Sequence, residues 1–224
     1  MIQKYVGIDG SRSGWIVSTV FNNTIDISWV KSLRDINYKD VKVALIDMPL
    51  QLPRSLTDYP RNTDMKAKKI LKKRHSCIFY APLEKWLDQD YVVINEECEK
   101  NNKPKCSKQS YNLFSKINEL RMYIIEKKRL NIKEHHPELV FRFFNNNTPL
   151  ISKYSKEGLQ EREDIIQKIL KISFVNNLKY LKSSHKLGFS KIDQVDSVIL
   201  SLFARYTDLN KSIENNQLLH LFED

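Results

Sequence analysis

The stretch that decides the fold is KYVGIDGSRSGW, residues 4–15, where three of the chain's five glycines surround Asp9. The mostly apolar residues before Asp9 predict a strand. WIVSTVF at 15–21 and TIDISWV at 24–30 predict two more strands, with a tight turn at Asn22 and Asn23 between them. Three antiparallel strands therefore open the chain.

The glycines after Asp9 have two interpretations. If Asp9 is a metal ligand at a strand end, Gly10 and Gly14 allow a sharp turn into the second strand and leave space for a phosphate. Alternatively, the glycines only form a hairpin that Asp9 caps. The stretch by itself leaves both interpretations open.

The elements that follow complete a sheet and a set of helices. VKVALIDMP at 41–49 predicts a buried fourth strand that ends at Asp47 and stops at Pro49. The pattern is helical from about 62 to 130, and a short fifth strand ends near Glu134 before a helix from Pro137. Further helices are predicted at about 157–182 and 190–208, and QLLHLF at 217–222 is an edge strand or a frayed helix.

This order of elements is that of the ribonuclease H-like fold. We expect one α/β domain over residues 1–224, with a mixed five-stranded sheet in the order 3-2-1-4-5 and a helical insert at about 62–130. In open α/β sheets, functional groups gather beyond the carboxyl ends of the strands. The acids predicted at those ends are Asp9, Asp47, Glu134 and Glu138.

Two more acids lie near the start of the last long helix. Asp193 and Asp196 are three residues apart, so they share one face of that helix. A rotation of 100° per residue places Asp196 just inside the buried stripe and Asp193 farther round. A buried carboxylate needs a partner, and a metal ion is expected for Asp196, with a salt bridge to an arginine as the alternative. His135 and His136 are interpreted as surface or packing residues, with a ligand pair as the alternative.

Composition limits the class of protein. At 224 residues with 41% hydrophobic content, the chain is long enough for a substantial core. No apolar run approaches the roughly 20 residues of a spanning helix, and MIQKYVGIDG lacks a signal-peptide pattern, so we expect a soluble cytoplasmic protein with no membrane partner. The three cysteines form no CxxC pair, which argues against a disulfide framework or a structural metal.

The charge favours a polyanionic partner. A net charge of +10 favours non-specific contacts with the phosphates of nucleic acid, although the composition bias of an AT-rich genome gives the same excess of lysine. RNTDMKAKKILKKR at 61–74 concentrates this charge and predicts a basic amphipathic helix.

Motifs along most of the chain resemble the domain-of-unknown-function family 429, described as predicted nucleases of the ribonuclease H fold. They are GIDGSRSGW at 7–15, DMPLQLP at 47–53, RNTDMKAKKIL at 61–71 with RHSCIF at 74–79, EHHPELVF at 134–141, KEGLQER at 156–162 and DQVDS at 193–197. The chain departs from the family at Ser11 and Ser13, where a cysteine and a glycine are usual, and at Ile192, where an aspartate is usual.

The resemblance implies a site similar to that of the RuvC-type resolvases. Such a site hydrolyses phosphodiester bonds with two Mg²⁺ or Mn²⁺ ions. The implied metal ligands are Asp9, Asp47, Asp193 and Asp196, with Glu138 or Glu134 as an outer ligand or a base that orients water. The implied phosphate-binding residues are Arg12, Arg61, Lys68, Arg74, Lys156 and Arg162. DNA, RNA and a small phosphorylated metabolite all remain open as substrates.

Two other functions compete with a nuclease. The first is a non-catalytic module of the same fold that binds nucleic acid or a protein partner. The second is an ATP-dependent phosphotransferase, since sugar kinases and chaperone ATPases of this fold also begin with a glycine-flanked aspartate hairpin. Those enzymes normally need a second phosphate loop, and the chain has no other glycine-rich segment.

Overall fold

The computed structural model describes residues 3–127, 131–172, 175 and 177–210. QLLHLF, predicted as a last strand or a frayed helix, lies outside the described residues. The chain divides into two compact units. The first, the sheet unit, lies within Met1–Met48 and Arg129–Glu223, and the second, the helical unit, lies within Pro49–Lys128.

The sheet has six strands, and the predicted mixed α/β class is confirmed. The strands are β1 Lys4–Gly10, β2 Trp15–Phe21, β3 Thr24–Val30, β4 Val41–Ile46, β5 Ile132–Glu134 and β6 Asn177–Leu178. Their order is β5-β4-β1-β2-β3-β6. β1, β2 and β3 pair antiparallel, whereas β4 pairs parallel to both β1 and β5, and β6 pairs parallel to β3. The predicted sheet was one strand short, because a strand of two residues leaves no periodic pattern.

The helical unit begins earlier than the predicted insert. Its helices are α1 Asn62–Leu71, α2 Tyr91–Lys100, α3 Lys108–Tyr111 and α4 Phe114–Glu126. The segment before α1 belongs to this unit because Glu84 donates its backbone N–H to the carbonyl of Pro53, and Arg61 donates to the carbonyl of Gln51. The predicted basic helix is present as α1, and it ends where Lys72 adopts a positive φ of 50°.

Three helices complete the sheet unit: α5 Pro137–Phe144, α6 Lys156–Ile172 and α7 Lys191–Leu209. Their buried faces form one core with the sheet, in which Val140, Ile166 and Phe203 meet side chains of β1 and β2. Within the described ranges, every helix is too short or too polar to cross a lipid bilayer.

The last helix, α7, lies directly against the backbone of β1. A Cβ atom added to Gly7 would lie 2.0 Å from the carbonyl oxygen of Ser197 and 2.4 Å from the amide nitrogen of Ser201. The hydroxyl of Ser18, on β2, donates to the same Ser197 carbonyl at 2.6 Å. Only a residue without a side chain allows this approach, so Gly7 sets the position of α7 along the sheet.

We expect Gly7→Ala to destabilise the sheet unit. The new methyl group overlaps helix backbone that cannot rotate away, and overpacking of this kind costs about 1–3 kcal/mol. For a chain of this size, each 1 kcal/mol corresponds to roughly 2–4 °C in Tm. Thermal unfolding followed by circular dichroism measures the change. An unchanged Tm would show that α7 does not rest on Gly7.

Candidate functional site

Two aspartates meet at the carboxyl ends of β1 and β4. These strands are parallel neighbours in which Ile8 lies opposite Ile46, and Asp47 donates its backbone N–H to the carbonyl of Ile8 at 3.0 Å. Asp9 is only 8% exposed, whereas Asp47 is half-buried. The predicted convergence of acids at these two strand ends is therefore observed.

The first turns of α7 supply two further aspartates with different roles. Asp193 closes a capping box, because its Oδ2 accepts the backbone N–H of Ser190 at 2.6 Å while the Ser190 hydroxyl accepts the N–H of Asp193. Asp196 lies one turn later and is 1% exposed. The expected difference in burial is confirmed, and the first contact of Asp193 is with its own helix.

A lysine that sequence analysis missed contacts the acids. Lys153 precedes α6, and its Nζ donates to Oδ2 of Asp196 at 2.5 Å. The side chain of Lys153 is 16% exposed and that of Asp196 is 2% exposed. The segment around Lys153 is polar and has no periodicity, so no signal in the sequence distinguishes it from a surface lysine.

Burial and the neighbouring charges shift the pKa values of these acids and of Lys153. Burial raises the pKa of Asp9 well above its usual range, and the charges of Asp196 and Asp47 raise it further. Burial also raises the pKa of Asp196, although the ammonium of Lys153 opposes this. For Lys153, burial alone would lower the pKa, but Asp196 and Asp9 raise it by more. The ionised forms of Asp9 and Asp196 are therefore disfavoured by their surroundings, and a cation beside them would favour those forms.

The donor atoms suit Mg²⁺ or Mn²⁺ in their chemistry. Carboxylate oxygens are the ligands that these hard ions prefer. Asp196 Oδ1 is buried with no hydrogen-bond partner among the described residues, and so is the hydroxyl of Ser11, two residues after Asp9. Such buried atoms are usually satisfied by a bound water or an ion. In the same described part of the chain, however, no three Asp, Glu, His or Cys side chains are already gathered around one point.

Glu138 and Arg162 form a separate buried ion pair. Both oxygens of Glu138 accept from the guanidinium, with distances of 2.7 Å to Oε2 and 2.8 Å to Oε1 from Nη2. Arg162 is 0% exposed, and its Nη1 donates to the carbonyls of Ile151 and Gly158. Arg162 thus has no free face for a substrate phosphate, which corrects the role predicted for it. Glu138 is likewise occupied as the partner of Arg162, which argues against the outer-ligand or water-orienting role predicted for it.

The two histidines that follow β5 make structural contacts. The His136 Nδ1 caps α5 by accepting the backbone N–H of Glu138 at 3.2 Å. His135 is 5% exposed and packs edge-on against Phe203 with ring centroids 4.8 Å apart. The contact of His135 agrees with packing, part of the first interpretation of the histidine pair, whereas His136 serves as a helix cap. Glu134 is the last residue of β5, and its backbone lies opposite Ile46.

The predicted phosphate-binding residues are divided between the two units. Arg12 and Lys156 are exposed in the sheet unit. In the helical unit, Arg61 pairs with Asp64 at 2.5 Å, and Lys68 donates to the carbonyl of His75. Arg74, also in the helical unit, is half-buried. Of the six predicted phosphate-binding residues, Arg12 and Lys156 are therefore the two that share a unit with the aspartates and keep an exposed side chain.

We expect Arg162→Met to lower the free energy of unfolding by about 3–5 kcal/mol, because it leaves the buried Glu138 carboxylate unpaired. Lys168→Met, an exposed position on the same helix, should change it by less than about 0.5 kcal/mol. Urea denaturation measures both variants. An Arg162→Met protein of wild-type stability would restore a substrate-binding role for this arginine.

Comparison with known proteins gives one match. No curated protein and no solved structure is significantly similar to the chain. A family model described as "Protein of unknown function (DUF429)" matches residues 7–215, a range that includes Asp9, Asp47, Lys153 and Asp196. A match over most of the chain shows membership, which confirms the resemblance seen in the motifs. The chain therefore belongs to the family of proteins of unknown function DUF429.

Proposed function

We propose that the aspartates at the ends of β1 and β4 and in α7 form the active site of a nuclease that depends on Mg²⁺ or Mn²⁺. The observation that carries this proposal is that Asp9 and Asp47 lie at the ends of neighbouring parallel strands, joined by the bond from the Asp47 N–H to the Ile8 carbonyl, and that the charges of Asp196 and Asp47 act on Asp9. The negative charges of these acids repel one another, and a divalent cation bound between them would relieve that repulsion beyond what Lys153 supplies to Asp196.

Each aspartate has a role that follows from its place. Asp9 has the central role among the ligands, because the charges of the three other aspartates all raise its pKa. Asp47, half-buried beside it, faces partly toward solvent, where a substrate would approach. Asp196 contributes its unpartnered Oδ1. Asp193 remains in the capping box and acts by fixing the start of α7.

The cation supplies the part of the chemistry that carboxylates cannot. When bound, Mg²⁺ or Mn²⁺ lowers the pKa of a coordinated water and stabilises charge on the leaving oxygen. The resemblance to the RuvC-type resolvases implies two such ions. The chain's own contribution is to hold the oxygen ligands and to exclude bulk water, which the burial of Asp9 and Asp196 supports.

Nucleic acid is the proposed substrate. A net charge of +10 attracts polyanions, and Arg12, in the turn directly after β1, is exposed close in sequence to Asp9. The backbone N–H of Arg12 donates to the carbonyl of Gly188 at 2.9 Å, so this turn is held in place while the side chain stays exposed. Neither feature distinguishes DNA from RNA, and the assay therefore includes both.

Asp9→Asn should abolish Mn²⁺-dependent cleavage and leave the protein folded. Replacing the carboxylate with an amide removes a metal ligand and also removes repulsion among buried acids, so we expect a Tm equal to or above that of the wild type. The assay follows end-labelled single-stranded and double-stranded DNA and RNA, with and without millimolar Mn²⁺, and a melting curve accompanies it.

The outcomes separate the competing functions. Wild-type protein that binds these substrates but cleaves none of them would favour the non-catalytic binding module. Release of phosphate from ATP without cleavage of nucleic acid would favour the phosphotransferase. An unfolded Asp9→Asn variant would show that Asp9 caps the hairpin and has no ligand role.

Asp196→Asn and Asp193→Asn should differ in both activity and stability. Asp196→Asn removes a proposed ligand and leaves the Lys153 ammonium without its partner, so we expect loss of cleavage together with a Tm below that of the wild type. Asp193→Asn keeps a side-chain oxygen for the cap and should retain part of the activity. Equal losses in the two variants would contradict this division of roles.

A further inference from the structure

Tyr154, which follows Lys153 in the loop before α6, is the only aromatic side chain among the described residues that is largely exposed, at 79%. Its ring nevertheless lies close to the acids. The Lys153 Nζ is 2.5 Å from Asp196 Oδ2 and 6.0 Å from the centre of the Tyr154 ring. The ring centre is therefore no more than about 8.5 Å from that carboxylate oxygen.

We propose that Tyr154 stacks on an unpaired base of the substrate, so that the proposed nuclease acts on single-stranded nucleic acid. This inference rests on the proposed function, since it concerns the surface beside the same aspartates. It adds a substrate class and a binding residue, and it requires no particular arrangement of metal ligands. Successive nucleotides of a stacked strand rise by about 3.4 Å, so a base on Tyr154 would lie within about three nucleotides of Asp196.

The loop that carries Tyr154 is held in place although the ring is exposed. On one side of the ring, the carbonyl of Ile151 accepts from Arg162 Nη1 at 3.0 Å. On the other side, the backbone N–H of Ser155 donates to the carbonyl of Ser152 at 3.0 Å. The lysine–aspartate contact to α7 fixes the residue directly before the ring. A ring on a fixed loop loses little conformational freedom on binding, which favours affinity.

The surroundings of the ring suit a single strand. Inside a duplex both faces of each base are covered by adjacent base pairs, so no base face is open to Tyr154, whereas an unpaired base of any sequence offers one. Lys156, two residues later, is exposed and offers positive charge for a phosphate of the same strand. An aromatic ring beside basic residues is the combination with which proteins bind single strands.

The test measures Kd by fluorescence anisotropy for labelled single-stranded DNA and RNA and for the matching duplexes, in EDTA, where the proposed cleavage does not proceed. Tyr154→Ala should weaken binding of the single strands by roughly 5- to 150-fold, the effect of losing one stacked base. The Kd values of the duplexes should stay unchanged. Tyr154→Phe keeps the ring and should bind like the wild type.

Ile172→Ala is the matched control, because it removes an apolar side chain of equal exposure at the far end of α6. It should leave every Kd unchanged, and a melting curve of each variant shows that it is folded. An unchanged single-strand Kd in Tyr154→Ala, or an equal loss for duplexes, would overturn the inference and leave the proposed nuclease intact.

The proposed nuclease fails in a different way. Selective loss of single-strand binding in Tyr154→Ala, together with no cleavage by the wild type in Mn²⁺, would support the stacking site and overturn the nuclease. Wild-type protein that binds none of the substrates would overturn the stacking site and the proposed nucleic-acid substrate together.

A second measurement needs no variant of Tyr154. A single strand that carries 5-iodouracil, irradiated with ultraviolet light while bound to the wild-type protein, should crosslink to Tyr154, because this base reacts with an aromatic ring stacked on it. Mass spectrometry of the peptides identifies the crosslinked residue. Crosslinks confined to other residues would overturn the inference.

Discussion

The contact between α7 and β1 at Gly7 is the constraint on which the site depends. Because Gly7 has no side chain, the helix backbone around Ser197 and Ser201 lies directly on the strand. Asp9 lies two residues beyond Gly7 along β1, and Asp196 precedes Ser197 by one residue. A helix held farther from the sheet would move Asp196 away from Asp9, so the packing of the fold and the closeness of the acids have the same cause.

Two buried ion pairs among the described residues of the sheet unit differ in how completely their hydrogen bonds are satisfied. In the Glu138–Arg162 pair, both carboxylate oxygens accept from the guanidinium and the other nitrogens donate to backbone carbonyls or to Glu138. In the Lys153–Asp196 pair, Asp196 Oδ1 has no partner within the described ranges. The Glu138–Arg162 pair, in which both carboxylate oxygens accept hydrogen bonds, joins α5 to α6. The Lys153–Asp196 pair keeps Oδ1 of Asp196 for a ligand.

Sequence analysis predicted the parts of the site that periodicity and strand ends determine. Asp9 and Asp47 follow apolar strands that pair in parallel, and the helical period distinguished Asp196 from Asp193. Arg162 and Glu138 lay in motifs of the family, but a motif does not reveal whether a charged residue faces substrate or another charge. Lys153 was missed because its contact joins a loop to a helix 43 residues away, and no local pattern records such a pairing.

The central claim is that the aspartates of β1, β4 and α7 hold a divalent cation. A crystal of the wild-type protein soaked in Mn²⁺ tests it most directly, because anomalous scattering locates manganese without reference to the fold. The account predicts an anomalous peak in contact with the Asp9 carboxylate and with Oδ1 of Asp196. A fully soaked crystal with no peak at Asp9, or with manganese bound only elsewhere, would contradict it.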